Sequence, residues 1–340
     1  LNIPFDNIIT LEDSKKGWAD SVKILMHSLY EGQNIYFNYN DIRKEGARLM
    51  TMGGRASGPQ PLIKLHDFIR EIMHSAQGRK LTTLEAHDIC NQIAEIVVVG
   101  GVRRSSQISL SDLNDEMMRH AKDWPYPIKR AMANNSAIYR EHPTAAEFLR
   151  EWAALALSGT GERGIFNLQA AQNRAPTRRY APLIQGTNPC GEIMLRDMEF
   201  CNLSEVVVRE DDDLDSLLDK VETATWIGVL QSTFTRFPYL RDGWKKNCDV
   251  ERLLGISLTG QMDNPSIMNK EALKALKSRV LRIARKASTL LGINMPTATT
   301  CVKPSGTVSQ LVDSASGVHP RYSPYYIRRY RISANDPLLD

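Results

Sequence analysis

Between residues 14 and 31 the apolar side chains Trp18, Val22, Leu25, Met26 and Leu29 recur every three or four positions, which lays them along one face of a helix. Ser14 stands where an N-cap is wanted. From Asn34 to Tyr39 apolar and polar residues alternate, the period of a half-buried strand. Helical spacing returns over about 61–75, and again behind a Thr82 or Thr83 cap through Ile89, Ile93 and Ile96. It recurs over 144–157, 213–233 and 269–291. Short β-prone runs lie at 107–110, 135–139, 164–167, 202–208, 253–258 and 297–302. Strands alternating with helices predict an α/β protein built on parallel strands. No internal repeat, low-complexity linker or clear break divides the chain, so residues 1–340 read as a single domain.

Composition narrows the class. A 340-residue chain that is 42% hydrophobic and 24% charged can bury a sizeable core, which excludes a disordered or fibrous protein. The net charge of +4 is mild and the Arg-Arg pairs are scattered, so anionic small molecules fit better than nucleic acid. No apolar run reaches membrane-spanning length and no signal peptide opens the chain; an odd number of cysteines in a large chain suggests reduced thiols in a cytoplasmic compartment. The five cysteines form no C-x-x-C pair and the seven histidines show no metal-ligand spacing, so reduced thiols and no metal site are expected. Cys90 falls inside a helical pattern and reads as a packed small hydrophobe. Cys248 follows Lys245 and Lys246 and reads as a surface thiol. The chain begins at Leu1 and ends just after a basic, β-prone run, so it reads as a piece of a longer protein.

The densest chemistry lies between Asn188 and Cys201. Asn188, Cys190 and Glu192 occupy alternate positions, and alternate residues of an extended chain point one way. Pro189 and Gly191 between them argue for a shaped loop over a helix. An amide to orient, a thiol for redox or radical work and a carboxylate to move protons make a catalytic set, with a second thiol at Cys201. By itself the pentapeptide better describes a buried Cys beside two turn residues. Three other stretches combine small residues with charge. Gly53-Gly54-Arg55-Ala56-Ser57-Gly58-Pro59 precedes a helical pattern, as an ordinary turn or an anion-facing loop would. Gly100-Gly101-Val102-Arg103-Arg104-Ser105 can carry guanidinium groups to a phosphate, or simply end a helix. Residues 299–311, with Lys303-Pro304-Ser305-Gly306-Thr307-Val308 at their centre, read as strand, small-residue turn and helix start. Backbone N–H groups at such a turn can cradle phosphate, although the spacing is not that of a Walker loop.

Together with Gly-Trp-Ala-Asp-Ser at 17–21 and Gly-Glu-Arg-Gly-Ile-Phe-Asn at 161–167, these motifs follow one family's order. The chain resembles the catalytic subunit of ribonucleotide reductases, and within them the adenosylcobalamin-dependent (class II) ribonucleoside-triphosphate reductases. The resemblance implies a ten-stranded α/β barrel of the ribonucleotide reductase/glycyl-radical type, incomplete here at both ends. A finger loop at about 186–194 would thread its centre. It implies Cys190 as the thiyl radical that takes the 3′-hydrogen of the ribose, Glu192 as general base, Asn188 as a ligand of the substrate hydroxyls, and Cys201 as a reducing thiol. Pro304, Ser305, Gly306, Thr307 and Val308 would hold the substrate phosphates. The loop at about 100–106, with Gly101, Arg103 and Arg104, would be the specificity loop that answers to a deoxynucleotide effector. Adenosylcobalamin is the implied cofactor and thioredoxin or a similar reductant the implied partner. The thiol that pairs with Cys201 lies upstream in the family, and none of Cys90, Cys248 or Cys301 matches its context. Two other readings stay open on the sequence: a diiron-dependent (class I) ribonucleoside-diphosphate reductase, which shares the finger-loop trio, and a non-catalytic nucleotide-binding relative.

Overall fold

A computed structural model describes residues 8–49, 55–98 and 105–327, which fall into two compact units dividing between Phe166 and Asn167. In the first unit β1 (Ile8–Thr10) pairs in parallel with β2 (Tyr36–Asn38), and α1 (Lys15–Tyr30) makes the crossover. The Ser14 hydroxyl accepts from the Gly17 amide at 2.9 Å, the N-cap that the sequence predicts. Behind it come α2 (Gln60–Ser75) and α3 (Thr83–Val98). Leu25, Leu62, Leu65, Ile69, Ile72 and Ile89 close into one core with Leu11, Ile35, Phe37 and Ile42. His66 sits within it, bonded to Ser21 Oγ at 3.0 Å and to the Tyr39 hydroxyl at 2.7 Å. Burial, and then the nearby Arg70, push its pKa down to about 4.

A three-stranded sheet, parallel between its first two strands, completes this unit. In it β3 (Gln107–Ser111) and β5 (Gly164–Asn167) flank β4 (Ala133–Tyr139), with α4 (Glu116–Arg119) and α5 (Ala145–Leu157) in the connections. Glu151 of α5 is buried between Arg119 and Arg163, and Arg163 donates to the Ser111 hydroxyl at 2.8 Å.

The second unit opens with α6 (Leu168–Asn173) and a tight antiparallel hairpin of β6 (Gly186–Thr187) and β7 (Met194–Leu195). Next, β8 (Asn202–Val207) is followed by α7 (Leu214–Gln231) and α8 (Asp242–Glu251), and runs parallel to β9 (Leu254–Thr259). The chain then forms α9 (Lys270–Leu291) and the single turn α10 (Val308–Leu311). One face of the β8–β9 sheet is apolar: Val206, Leu254 and Ile256 lie under Leu217, Val221, Ala224 and Val229 of α7. Leu276, Val280, Ala284 and Ala287 of α9 pack on the same side. Gly228 lets α7 come close, since a Cβ there would lie 3.3 Å from Ile256 Cδ1. With both helices on one side, the other face of this sheet is left for the site.

Several expectations change. Cys90 is exposed on α3, on the side of the helix away from its packed residues. Cys248 is 7% exposed, because α8 turns it inward although its sequence is largely polar. The run at 297–302 makes only a bridge, Thr300 beside Ile256. Among the described residues nine strands lie in four sheets of two or three strands, and none closes on itself. The described strands are two to seven residues long, and the ten-stranded closed barrel expected from the sequence is not seen as such among them. The proposed specificity-loop residues Gly101, Arg103 and Arg104, like Gly53 and Gly54, lie outside the described residues.

Candidate active site

Asn188, Cys190 and Glu192 occupy the tip of the β6–β7 hairpin, which is a turn and not the extended run that alternate spacing suggested. The Asn188 amide donates to the Ile193 carbonyl at 3.1 Å, and Asn188 Oδ1 accepts from the Ile193 amide at 3.0 Å. The Gly191 amide donates to the Asn188 carbonyl at 2.9 Å, and Gly191 takes a φ of 83°, a conformation that glycine adopts at little cost. The Asn188 side chain therefore staples its own hairpin through oxygen, and its Nδ2 has no partner among the described residues. Cys190 is exposed at the tip. The Glu192 side chain turns under the loop and is only 1% exposed.

Beneath the hairpin lies the uncovered face of the β8–β9 sheet. Paired residues of parallel strands project to the same side, as do residues two apart, so Leu203, Glu205, Gly255 and Ser257 share this face. Cys201, two residues before Leu203, continues the row. On the far side of β9, Cys301 donates its amide to the Ile256 carbonyl at 3.1 Å. A Cβ on Gly255 would lie 2.5 Å from Leu203 Cδ2 and 3.0 Å from both Cys301 Sγ and Ile193 Cδ1, so a side chain here would force these neighbours to shift. Hairpin, sheet and the chain after Thr300 converge on that point.

Lys303 ties them together. Its amide donates to Ser257 Oγ at 3.0 Å, and its Nζ donates to Glu192 Oε1 at 2.9 Å. The other carboxylate oxygen, Glu192 Oε2, is buried with no hydrogen-bond partner, as is Glu205 Oε1 on the same face. Burial opposes the Lys303 charge, but Glu192 first, then Cys190 and Cys301, outweigh it and raise the lysine pKa. Burial, followed by Cys301, Glu192 and Glu199, pushes the Cys201 thiol far above its ordinary value. Burial and then Glu192 push Cys301 up to about 12. Both sulfurs are thus neutral thiols at pH 7, suited to giving hydrogen and poor as nucleophiles.

One group of residues escaped the sequence reading. The buried Arg179 donates to Glu251 Oε2 at 2.7 Å, to Glu199 Oε2 at 2.9 Å and to the Met194 carbonyl at 2.7 Å. It fixes β7 of the hairpin against the segment that leads into Cys201. Burial, with the neighbouring Glu251 carboxylate adding to it, holds Glu199 well above the usual carboxylate range. The only local signal was the Arg178-Arg179 pair and a Glu two positions before Cys201.

In the turn after Lys303, Pro304, Gly306, Thr307 and Val308 are exposed, while Ser305 is 2% exposed. Ser305 Oγ accepts from the Ser309 amide at 3.1 Å, and its carbonyl accepts from the Ser309 and Ser316 hydroxyls. The amides of Gly306, Thr307 and Val308 meet no partner among the described residues. Among those residues, too, no cluster of three His, Cys, Asp or Glu side chains is placed to hold a metal ion.

No protein-family model matches the chain. It is similar to the adenosylcobalamin-dependent ribonucleoside-triphosphate reductase of Lacticaseibacillus paracasei, 32% identical over 97% of this chain and 49% of that protein. The protein of the same name from Lactobacillus acidophilus is 30% identical over 99% of this chain and 50% of its own length. The chain thus spans about half the length of the curated relatives it matches. Among solved structures, a B12-dependent (class II) ribonucleotide reductase superposes with a TM-score of 0.74 at 26% identity, over 92% of this chain and 48% of that one. The class Id ribonucleotide reductase alpha subunit of Actinobacillus ureae gives 0.55 at 16% identity, over 94% and 62%, a likeness of fold alone. The match runs nearly end to end of this chain, in sequence and in fold, and takes in the hairpin trio and the thiol behind it: the chain is similar to about half of an adenosylcobalamin-dependent (class II) ribonucleotide reductase.

Proposed function

We propose that the protein reduces ribonucleoside triphosphates to 2′-deoxyribonucleoside triphosphates, with a thiyl radical on Cys190 and adenosylcobalamin as cofactor. The observation that carries this is the pairing on one hairpin of an exposed thiol, Cys190, with a buried carboxylate, Glu192, whose Oε2 has no partner. A buried unpaired carboxylate oxygen is costly unless a ligand donor completes it. A ribose hydroxyl is such a donor. Glu192 would accept its proton, while the free Nδ2 of Asn188 would donate to the neighbouring oxygen. Cys201, a neutral thiol, would deliver hydrogen once water has left C2′. The unpaired amides at 306–308 and the Thr307 hydroxyl would take the phosphates. Ser305 would act from below, by holding the turn through Ser309.

Adenosylcobalamin would supply a carbon-centred radical by homolysis of its cobalt–carbon bond. The exposure of Cys190 fits that role, since its S–H must be open to a hydrogen acceptor that is not part of this hairpin. The names of the curated relatives and the higher structural likeness support cobalamin over a diiron partner. Retention of Asn188, Cys190, Glu192 and Cys201 together argues against a non-catalytic relative. We read both compact units as parts of one catalytic domain, and the β8–β9 sheet with its hairpin as part of a ten-stranded barrel. Gly101, Arg103 and Arg104 would form the specificity loop for a deoxynucleotide effector, and thioredoxin or a similar dithiol would regenerate the enzyme. These readings rest on the family resemblance.

The test uses the full-length enzyme with adenosylcobalamin, a dithiol and a [3′-³H]ribonucleoside triphosphate. Cys190→Ser is expected to stop tritium release, and Cys201→Ser to retain it while blocking sustained turnover with thioredoxin. Equal release from Cys190→Ser and wild type would overturn the assignment.

A further inference from the structure

Glu192 depends on a residue 111 positions away. Its side chain is 1% exposed, and Lys303 Nζ holds Oε1 at 2.9 Å. Lys303 is itself placed from both ends. Its amide is bonded to Ser257 of β9 at 3.0 Å, and its carbonyl lies against Gly317, where a Cβ would come within 2.9 Å. Gly317 takes a φ of 57°, so a side chain there would be strained as well as crowded. From this fixed root the ammonium reaches the hairpin beside Cys190 and Cys301, whose sulfurs both act on its charge. One carboxylate oxygen is thereby occupied and the other, Oε2, is buried and unpartnered.

We propose that Lys303 is a positioning residue for this reaction: by holding Oε1 it presents Oε2 of Glu192 to the hydroxyl proton of the substrate. The inference rests on Glu192 being the base. In the step concerned the ribose O–H bond breaks and an Oε2–H bond forms. The negative charge passes to the ribose oxygen, and the same oxygen of Glu192 returns the proton when the hydroxyl is restored. A carboxylate has two equivalent oxygens and several side-chain rotors. Without the ammonium, the buried Glu192 loses its only charged partner among the described residues and the orientation that goes with it. A proton acceptor displaced by about 1 Å loses on the order of 100-fold in rate. In the proposed reading the substrate's phosphates are held away from this carboxylate, at the 306–308 turn, so most of the binding contact does not depend on Lys303.

A double-mutant cycle in the full-length enzyme tests this, read by 3′-tritium release, kcat and KM for the triphosphate. K303M is expected to lower kcat roughly 10- to 100-fold with KM within about 3-fold. In an E192Q background the same change is expected to cost less than about 3-fold, because the oxygen it positions is gone. Losses that multiply across the two backgrounds would overturn the proposal, as would a K303M enzyme with unchanged kcat and a raised KM. K303Q serves the same cycle if K303M does not fold. Failure of the parent reading looks different: no tritium release from wild type removes the reductase activity, and wild-type release from E192Q removes Glu192 as base.

Discussion

At the scale of single residues, the site works through environments that neighbouring strands create. Cys201 and Cys301 are ordinary thiols in the sequence and become strongly protonated ones because a sheet, a hairpin and Glu192 enclose them. Gly255 is the hinge of that enclosure. Gly255→Ala would push Cβ into Cys301, Ile193 and Leu203, and is expected to cost about 1–3 kcal/mol of stability by urea unfolding. His66 carries a separate, pH-dependent contribution. Its folded pKa of about 4 lies below the ordinary histidine value of 6.5, so the unfolded chain binds the proton more tightly. The contribution is therefore complete above pH 6.5 and is lost as pH falls towards 4, roughly 3 kcal/mol across the window. Urea midpoints measured between pH 7.5 and 4.5 should show that decline, and His66→Gln should flatten it. A decline as steep in the variant would assign it to other groups.

At the scale of elements, local signals set where helices start and which face they bury. Ser14 caps α1, Asp213 and Ser216 close a capping box on α7, and Gly292 ends α9 in the left-handed region, each at a place the residue types announce. The packing that makes these helices useful is apolar. Val280→Ala on α9, fully buried against α7 and the β8–β9 sheet, is expected to cost roughly 2–3 kcal/mol in thermal or urea unfolding, an effect that a surface alanine substitution on α9 would not share. Where local signals fail, tertiary neighbours have decided. The residues of α8 are so polar that they read as a surface stretch, yet Cys248 and Glu251 on its inner side are buried, and Glu251 anchors Arg179. Cys90 has helical apolar neighbours but projects from the exposed side of α3. Periodicity reports that a helix has an apolar face; it reports poorly which residues at the margin of that face are covered.

At the scale of the whole molecule, the order of strands settles a question of redox chemistry. Cys201 leads into β8, Cys301 follows the bridge on the far side of β9, and β9 lies between them. Two strand spacings separate their backbones by about 9–10 Å, while a disulfide needs Cα atoms within about 7 Å. On the function proposed above, peptide mapping of the full-length protein after a single turnover without reductant should therefore find no Cys201–Cys301 cross-link. Such a cross-link would show that the sheet opens in the cycle, or that its order is different. The chain spans about half the length of the curated relatives it matches.

The sequence by itself determined the alternation of helix and strand, the caps, the family resemblance, and the residues gathered at the hairpin, because each is written in neighbours a few positions apart. Only the tertiary structure decided that Asn188 staples its own turn through Oδ1, that Cys190 is exposed while Glu192 is buried, and that Arg179 braces the hairpin. It alone decided that Lys303 holds one oxygen of Glu192 and leaves the other free. Those contacts join residues 5 to 111 positions apart, and strand register, which brings them together, is a property of packing that no local pattern records.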